Sequence, residues 1–281
     1  MAHSALRDRW QTDDGVSQVM HLWAPQKPQA LLFYIHGLQS HGGWLFESGP
    51  AWAEMGVAVA ALDRRGSGES GGTRGDAPPF EQWILDYLDG LNRARAQFPN
   101  VPCTLLGQSM GGKLAAGLAV HPAASFEAFI LCASGISQLY ARLSKDDRER
   151  LATSDPTQLN DVHIKDEQYT RDARYLAFMR DDPKMLRKVT TRLRHEEVRL
   201  EAHLQSQTLD ALRKPSCFIF PRRDPVIVLP EARGAFEQLT RGAGMVFEAP
   251  ADDHYLEFSP WRGPHVNFVA HYVLTTGFSR R

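Results

Sequence analysis

Short apolar runs recur along the chain, and between them apolar residues return at every third or fourth position. Positions 16–23 alternate between apolar and polar, while 30–35, 57–62, 102–106, 129–132, 215–220 and 244–248 are almost continuously apolar. Alternation predicts a strand with one wet face, and unbroken apolar runs of this length predict strands covered on both faces. The longer spacing predicts helices at about 80–98, 110–120, 230–240 and 264–275. Strands that alternate with helices imply an α/β fold with a mostly parallel sheet and helices on both faces. In such sheets the chemistry sits outside the carboxyl ends of the strands.

The pattern breaks between 135 and 212. No convincing strand is legible there and the patterning is helical. Of its 78 residues 28 are charged, against 37 of the other 203. The expectation is an α/β core made of 1–134 and 213–281, with 135–212 a helical cap inserted over the strand ends. The bland alternative is a set of solvated surface helices with no role at the site. So charged a segment is unlike a lid that opens an apolar face to lipid. Its apolar side chains, among them Leu139, Tyr140, Leu143, Tyr175, Phe178, Met179 and Leu186, are expected to line one pocket.

At 281 residues the chain suffices for one large domain with an insertion. A net charge of −1 gives no bulk electrostatic reason to bind nucleic acid or anionic membrane. No apolar run reaches bilayer-spanning length, and the first residues lack the apolar stretch of a signal peptide. Cys103, Cys132 and Cys217 all fall in apolar, strand-like runs and read as buried free thiols. A cytoplasmic setting is the default.

The candidate chemistry starts at Gly107-Gln108-Ser109-Met110-Gly111, a G-x-S-x-G between an apolar strand and a small-residue helix. A serine at such a junction sits on a strained turn that lifts its hydroxyl clear of the sheet. Gly107 with Gly112-Lys113 also fits the start of a phosphate-binding P-loop, but Leu114 stands where the magnesium-holding Ser or Thr belongs. The G-x-G-x-x-G within 66–71 fails as a dinucleotide fingerprint. It follows its strand too late, and Pro78-Pro79 forbids an immediate helix.

A serine hydroxyl needs a base, and the base needs an orienting carboxylate. Of the 11 histidines, His254 alone follows a strand-like run through a flexible loop, 249–253. His265 and His271 lie on the final helix, and His195 and His203 in the charged insertion. Asp224 follows the run 216–220 through Pro221-Arg222-Arg223 and is the best carboxylate; Asp252 and Asp253 stand too close to His254 in sequence to reach its Nδ1. The oxyanion of a tetrahedral intermediate needs two amide donors. Met110, directly after the serine, supplies one, and Leu38 in the glycine-rich stretch 36–43 supplies the other. His36, read as a buried ring bonded to neighbouring loops, is grouped with Gly37, His41 and Gln108 as residues bordering the substrate. No zinc-spaced second ligand accompanies His36, so no metal is expected.

These residues together resemble the α/β-hydrolases, and more closely the branch of monoacylglycerol lipases, lysophospholipases and serine aminopeptidase-type hydrolases. The resemblance rests on His36-Gly37 with His41-Gly42, on Asp63-Arg64-Arg65-Gly66-Ser67-Gly68-Glu69-Ser70, on Gly107 to Gly112, and on Asp224 and His254. Tyr169-Thr170, Asp182-Pro183 and Val189-Thr190 are spaced as in that branch's cap. The resemblance implies an eight-stranded sheet and serine-dependent hydrolysis of a small-molecule ester, with no cofactor. Leu38-Gln39 replaces the proline and glycine of proline-releasing peptidases, which speaks against aminopeptidase activity. The same machinery would serve a thioesterase, an acyltransferase or a lactonase, and a hydrolase fold used as a ligand receptor is the non-enzymatic alternative.

Overall fold

The computed structural model describes residues 5–206 and 214–276. Eight strands form one sheet: β1 (Leu6–Gln11), β2 (Ser17–Trp23), β3 (Ala30–Ile35), β4 (Val57–Leu62), β5 (Cys103–Gln108), β6 (Ala128–Cys132), and, beyond the insertion, a pair running Ser216–Pro221 and Met245–Ala249. Two further strands within the insertion, β7 (Leu159–Asp161) and β8 (Lys188–Thr190), pair antiparallel, so the later pair of the large sheet is β9 and β10. The order is β1-β2-β4-β3-β5-β6-β9-β10, parallel from β4 onward and antiparallel at β1 and β2.

The continuous apolar runs hide a strict alternation. Leu31, Phe33 and Ile35 of β3 face one core, and Ala30, Leu32 and Tyr34 face the other. Side chains two apart share a face, so a strand buried on both sides must be apolar at every position. One face carries α2 (Phe80–Gln97), α3 (Met110–Val120) and, late in the chain, the helices Thr191–Ser206 and Leu229–Thr240. The other carries α1 (Ser48–Glu54) and the final helix, Arg262–Thr276. All three cysteines are buried and free. Among the described residues, no helix is long and apolar enough to cross a membrane.

Four elements depart from the sequence reading. β1 was not expected, because Leu-Arg-Asp-Arg-Trp-Gln is a largely exposed edge strand, paired with β2, that carries no apolar pattern. The short α1 was likewise not expected. The insertion also contains the β7–β8 pair, where only helix was expected; three-residue strands are too short to show a period. Its helices are α4 (Gln138–Arg142), α5 (Lys145–Thr153), α6 (Asp166–Tyr169), α7 (Ala173–Asp181) and α8 (Thr191–Ser206), so the last two helices of the chain are α9 (Leu229–Thr240) and α10 (Arg262–Thr276). The boundary expected at 212 lies outside the described residues.

The apolar residues of the insertion do not converge on one pocket. Tyr175, Phe178 and Met179 pack with Trp44, Tyr255 and Phe258 in a separate aromatic cluster, and Leu186 joins the main core. Tyr140 stacks under the Arg148 guanidinium. Burying apolar area against the core stabilises the insertion, and that demand takes the side chains a pocket would have used.

β3 and the start of α3 approach so closely that no side chain fits between them. A Cβ on Gly111 would lie 2.1 Å from the Ile35 carbonyl oxygen and 2.6 Å from that of His36. Gly111→Ala should therefore destabilise the fold by about 1–3 kcal/mol or more. Gly234→Ala, on the exposed face of α9 with nothing within 4 Å, should stabilise by about 0.5–1 kcal/mol. Urea melts of the two variants test the contrast, and a Gly111→Ala protein as stable as wild type would refute the contact.

Candidate active site

β3 has β4 on one side and β5 on the other, so successive connections leave in opposite directions and open a crevice at the carboxyl ends of β3 and β5. Ser109 stands at that crevice, one residue past β5. Its backbone is at φ 53°, ψ −123°, and its N–H donates to the Cys132 carbonyl at 2.9 Å. A non-glycine residue at positive φ is strained, and the strain turns the hydroxyl out of the strand. The neighbouring glycines are forced by contact: a Cβ at Gly107 would meet the Gly111 oxygen at 2.5 Å, and one at Gly112 would overlap Ser134.

The Ser109 hydroxyl lies 2.9 Å from His254 Nε2, and His254 Nδ1 lies 2.9 and 3.0 Å from the two Asp224 oxygens. A carboxylate at Nδ1 keeps the proton there, which leaves Nε2 to accept from the hydroxyl. Asp224 Oδ1 also accepts from the amides of Val226 and Ile227 at 2.8 and 2.9 Å, so the turn itself aims the carboxylate. Asp252 and Asp253 point elsewhere; Asp253 is held by Arg171 Nε at 3.0 Å and Asp252 sits 3.8 Å from the same guanidinium.

Leu38 and Met110 both line a cavity of about 530 Å3 that opens over Ser109. Met110 begins α3, so its amide has no intrahelical acceptor. The Leu38 amide makes no hydrogen bond among the described residues. Its direction is set from behind. The buried Arg64 donates from Nη1 to the Gly37 carbonyl at 3.0 Å and from Nη2 to the Leu38 carbonyl at 2.8 Å. In a trans peptide the N–H points opposite to the C=O, so fixing the Gly37 oxygen on Arg64 turns the Leu38 N–H away from it.

His36 completes this support. Burial, then the Arg64 charge, lower its pKa to about 3, so the ring is neutral. Its Nε2 accepts from the Arg64 amide at 2.9 Å, which leaves Nδ1–H to donate to the Gly37 carbonyl at 2.8 Å. His41 Nδ1 accepts from the Gly43 amide, and its Nε2 donates to Asp182 at 3.0 Å. Neither ring lines the cavity, contrary to the substrate contact expected of them: their nitrogens are saturated within the fold. Gln108 is buried and also stands off the cavity. Gly37 does sit against the serine, since a Cβ there would reach Gln108 Oε1 at 2.7 Å and Ser109 Cβ at 3.2 Å. Two buried trios, His21/His41/Asp63 and Cys132/Glu257/His265, have the spacing to hold a metal ion, and neither lines the cavity. Asp63 in the first is occupied by His21 and by the Gly42 and Glu69 amides.

The residues that sequence reasoning missed are those that fasten the loops. Arg64 was visible only as part of a motif, and its acceptors are 26 and 27 positions away. Gln168, at the end of the short α6, donates from its side chain to the Pro225 carbonyl at 2.8 Å, and its own carbonyl accepts from the His254 amide at 3.1 Å. Tyr169 donates to Gln39 at 2.8 Å and sets its ring edge-on to His254 at 5.6 Å. One turn of the insertion thus touches the loops that carry Asp224, His254 and Leu38.

The sequence profile of the Hydrolase_4 family, described as serine aminopeptidase, S33, matches residues 26–249. The chain belongs to this family. Among curated relatives, rat monoglyceride lipase is 33% identical over 119 residues, 42% of this chain and 39% of the relative. The monoacylglycerol lipase of Mycolicibacterium smegmatis is 27% identical over 124 residues, 44% of each chain. The chain thus aligns with about two fifths of the length of these relatives. A soluble variant of monoglyceride lipase from Saccharomyces cerevisiae, solved with a substrate analogue, superposes with a TM-score of 0.82 over 99% of this chain and 97% of its own at 16% identity. A carboxyl esterase from Bacillus coagulans gives 0.78 over 98% and 99% at 17% identity. The fold that the family member adopts is the α/β-hydrolase fold.

Asp182 ties the insertion to the loop after β3, accepting from His41 Nε2, from Trp44 Nε1 at 2.8 Å and from the Lys184 amide at 2.9 Å. Burial, the largest influence, raises its pKa, but the bonds from His41 and Trp44 together outweigh it and hold the carboxyl at about 2. The folded value lies below the unfolded one of about 3.9, so the stabilisation is complete above about pH 4 and is lost as pH falls toward 2. Asp182→Ala should cost about 1–3 kcal/mol at pH 7, because it strands buried donors, and the cost should shrink on acidification. Thermal melts between pH 3 and 7 check this; a pH-independent difference would show that the charge is not involved.

Proposed function

We propose that this protein is a carboxylic-ester hydrolase that works through a serine acyl-enzyme. The observation that carries the reading is the unbroken hydrogen-bonded line from the Ser109 hydroxyl through His254 to Asp224 at the floor of a cavity. Ser109 Oγ bonds to the ester carbonyl carbon while its proton passes to His254 Nε2. The oxyanion is received by the amides of Leu38 and Met110. As the carbonyl re-forms, the bond to the alcohol oxygen breaks and His254 returns the proton to the departing alcohol. Water then attacks the acyl carbon, gives a proton to His254, and the acid leaves with Ser109 restored. Asp224 holds the imidazole and compensates its charge. Arg64 and His36 act as positioning residues for the Leu38 amide.

The segment 135–212 serves as the cap in this reading, since it supplies cavity walls and clamps the three site loops. The substrate class is a soluble, partly polar ester or a monoacyl lipid, in keeping with the monoglyceride lipase names of the relatives. Acyl transfer to an alcohol, or attack on a lactone or thioester, uses the same steps with a different acceptor or leaving group. Competition between water and added alcohol for the acyl-enzyme separates hydrolase from acyltransferase.

Ser109→Ala should lower ester turnover by a factor on the order of 10⁴ to 10⁶ and abolish fluorophosphonate labelling, with the melting curve intact. Labelling that persists in the variant would remove Ser109 from its role, and a wild-type protein that neither labels nor turns over esters would favour a non-catalytic ligand-binding fold. Asp224→Asn should cost about 10⁴ in turnover through the wrong imidazole tautomer, far more than Asp253→Asn.

Arg64→Gln should lower kcat by about tenfold to a hundredfold with KM nearly unchanged, because an amide aimed at the transition-state oxygen contributes little to ground-state binding. An equal loss in both parameters, tracking a lowered melting temperature, would mean that Arg64 is structural alone.

A further inference from the structure

The walls of the cavity over Ser109 divide by chemistry. Leu139, Ile164, Val226 and Ile227 supply apolar surface suited to a hydrocarbon chain. The charged side comes mostly from the insertion, and most of its charges answer one another. Glu197 accepts from Lys113 Nζ at 3.2 Å and from Arg194 at 2.8 Å, while Glu201 takes a second bond from Lys113. Asp161 faces Lys188 across the β7–β8 pair at 3.6 Å. Two lining residues are left over. Arg142, the last residue of α4, and His163, just beyond β7, are exposed where the cavity meets solvent, and neither side chain makes a hydrogen bond or ion pair among the described residues. With every lining carboxylate already paired, the Arg142 charge is the uncompensated one.

We propose that Arg142 and His163 form a subsite for an anionic oxygen group on the substrate, a carboxylate or a phosphate remote from the scissile ester. The inference rests on the hydrolase reading above and narrows its substrate class to esters that pair an apolar segment with a negative end. A guanidinium presents a planar fork of donors that matches both carboxylate and phosphate oxygens. At the rim of a cleft with low-dielectric walls, one unanswered cation draws anions more strongly than it would on open surface. Arg194 and Lys113 lie deeper along the same wall but are neutralised by Glu197 and Glu201, so they shape the cavity without competing for the anion.

Two substrate pairs separate the sources of charge. On the acyl side, p-nitrophenyl hydrogen glutarate is compared with p-nitrophenyl pentanoate. On the alcohol side, 1-octanoylglycerol 3-phosphate is compared with 1-octanoylglycerol below its solubility limit. In the pair that matches the natural arrangement, wild-type kcat/KM should favour the charged ester by about tenfold, the scale of one charge-assisted hydrogen bond. That preference should contract in 0.5 M salt, and Arg142→Glu should push the ratio below one. A ratio at or below one in both pairs, or a ratio that Arg142→Glu does not move, overturns the subsite while leaving the hydrolase reading in place. If no ester is turned over, the hydrolase reading falls, and calorimetric titration of Ser109→Ala protein with the two octanoyl compounds still decides the subsite. Tighter binding of the phosphate form upholds it, and equal binding overturns it.

Discussion

Ser109 holds φ 53° between β5 and α3, at a junction where the close approach of β5 to α3, of α3 to the end of β3 and of α3 to Ser134 leaves room only for hydrogen at Gly107, Gly111 and Gly112 respectively. A backbone kept in that region costs on the order of 1–3 kcal/mol and persists only where its surroundings over-determine it. Here the surroundings do so. The Ser109 amide is bonded to β6, Gly111 lies against the end of β3, and Gly112 lies against Ser134. The same compression that strains the serine brings the loop after β3 beside it, so the Ser109 hydroxyl and the amides of Leu38 and Met110 share one crevice.

The loops around that crevice are fixed by polar contacts as well as by apolar packing. Arg64 is a buried guanidinium whose Nη atoms bond to two backbone carbonyls, while its Nε has no partner. Such a charge is expensive to bury, and burial accordingly lowers its pKa. A neutral side chain would remove that cost, yet none could hold two successive carbonyls with a rigid fork. The insertion contributes in the same manner, for Gln168, Tyr169 and Asp182 each bond to a core loop. These contacts tie the insertion to the loops that frame the site.

Much of the core was legible because its physics is local. A strand covered on both faces must be apolar throughout, and the six runs read that way coincide with β3 to β6, β9 and β10 to within a residue or two, while β2, read as a strand with one wet face, is buried at every position but Ser17. The serine turn was legible because close approach admits only glycine beside it, and Asp224 and His254 because each follows a strand's carboxyl end. β1 escaped because an exposed edge strand carries no apolar signature, and β7 and β8 because three residues display no period.

The sequence by itself thus determined the α/β architecture, the strained serine and the pair of groups brought to it, since those follow from periodicity and from steric limits on neighbouring residues. Tertiary structure alone decided which side chains would support them. His36 and His41 lie in the same loop as Leu38, yet they turn inward to Arg64 and Asp182 and leave the cavity to others. Tyr175, Phe178 and Met179 of the insertion went to an aromatic cluster and Leu186 to the main core, while Leu139, Arg142 and His163 came to the cavity. Such partnerships span tens to more than a hundred positions, and their energies depend on burial and mutual orientation, which no local pattern of residues encodes.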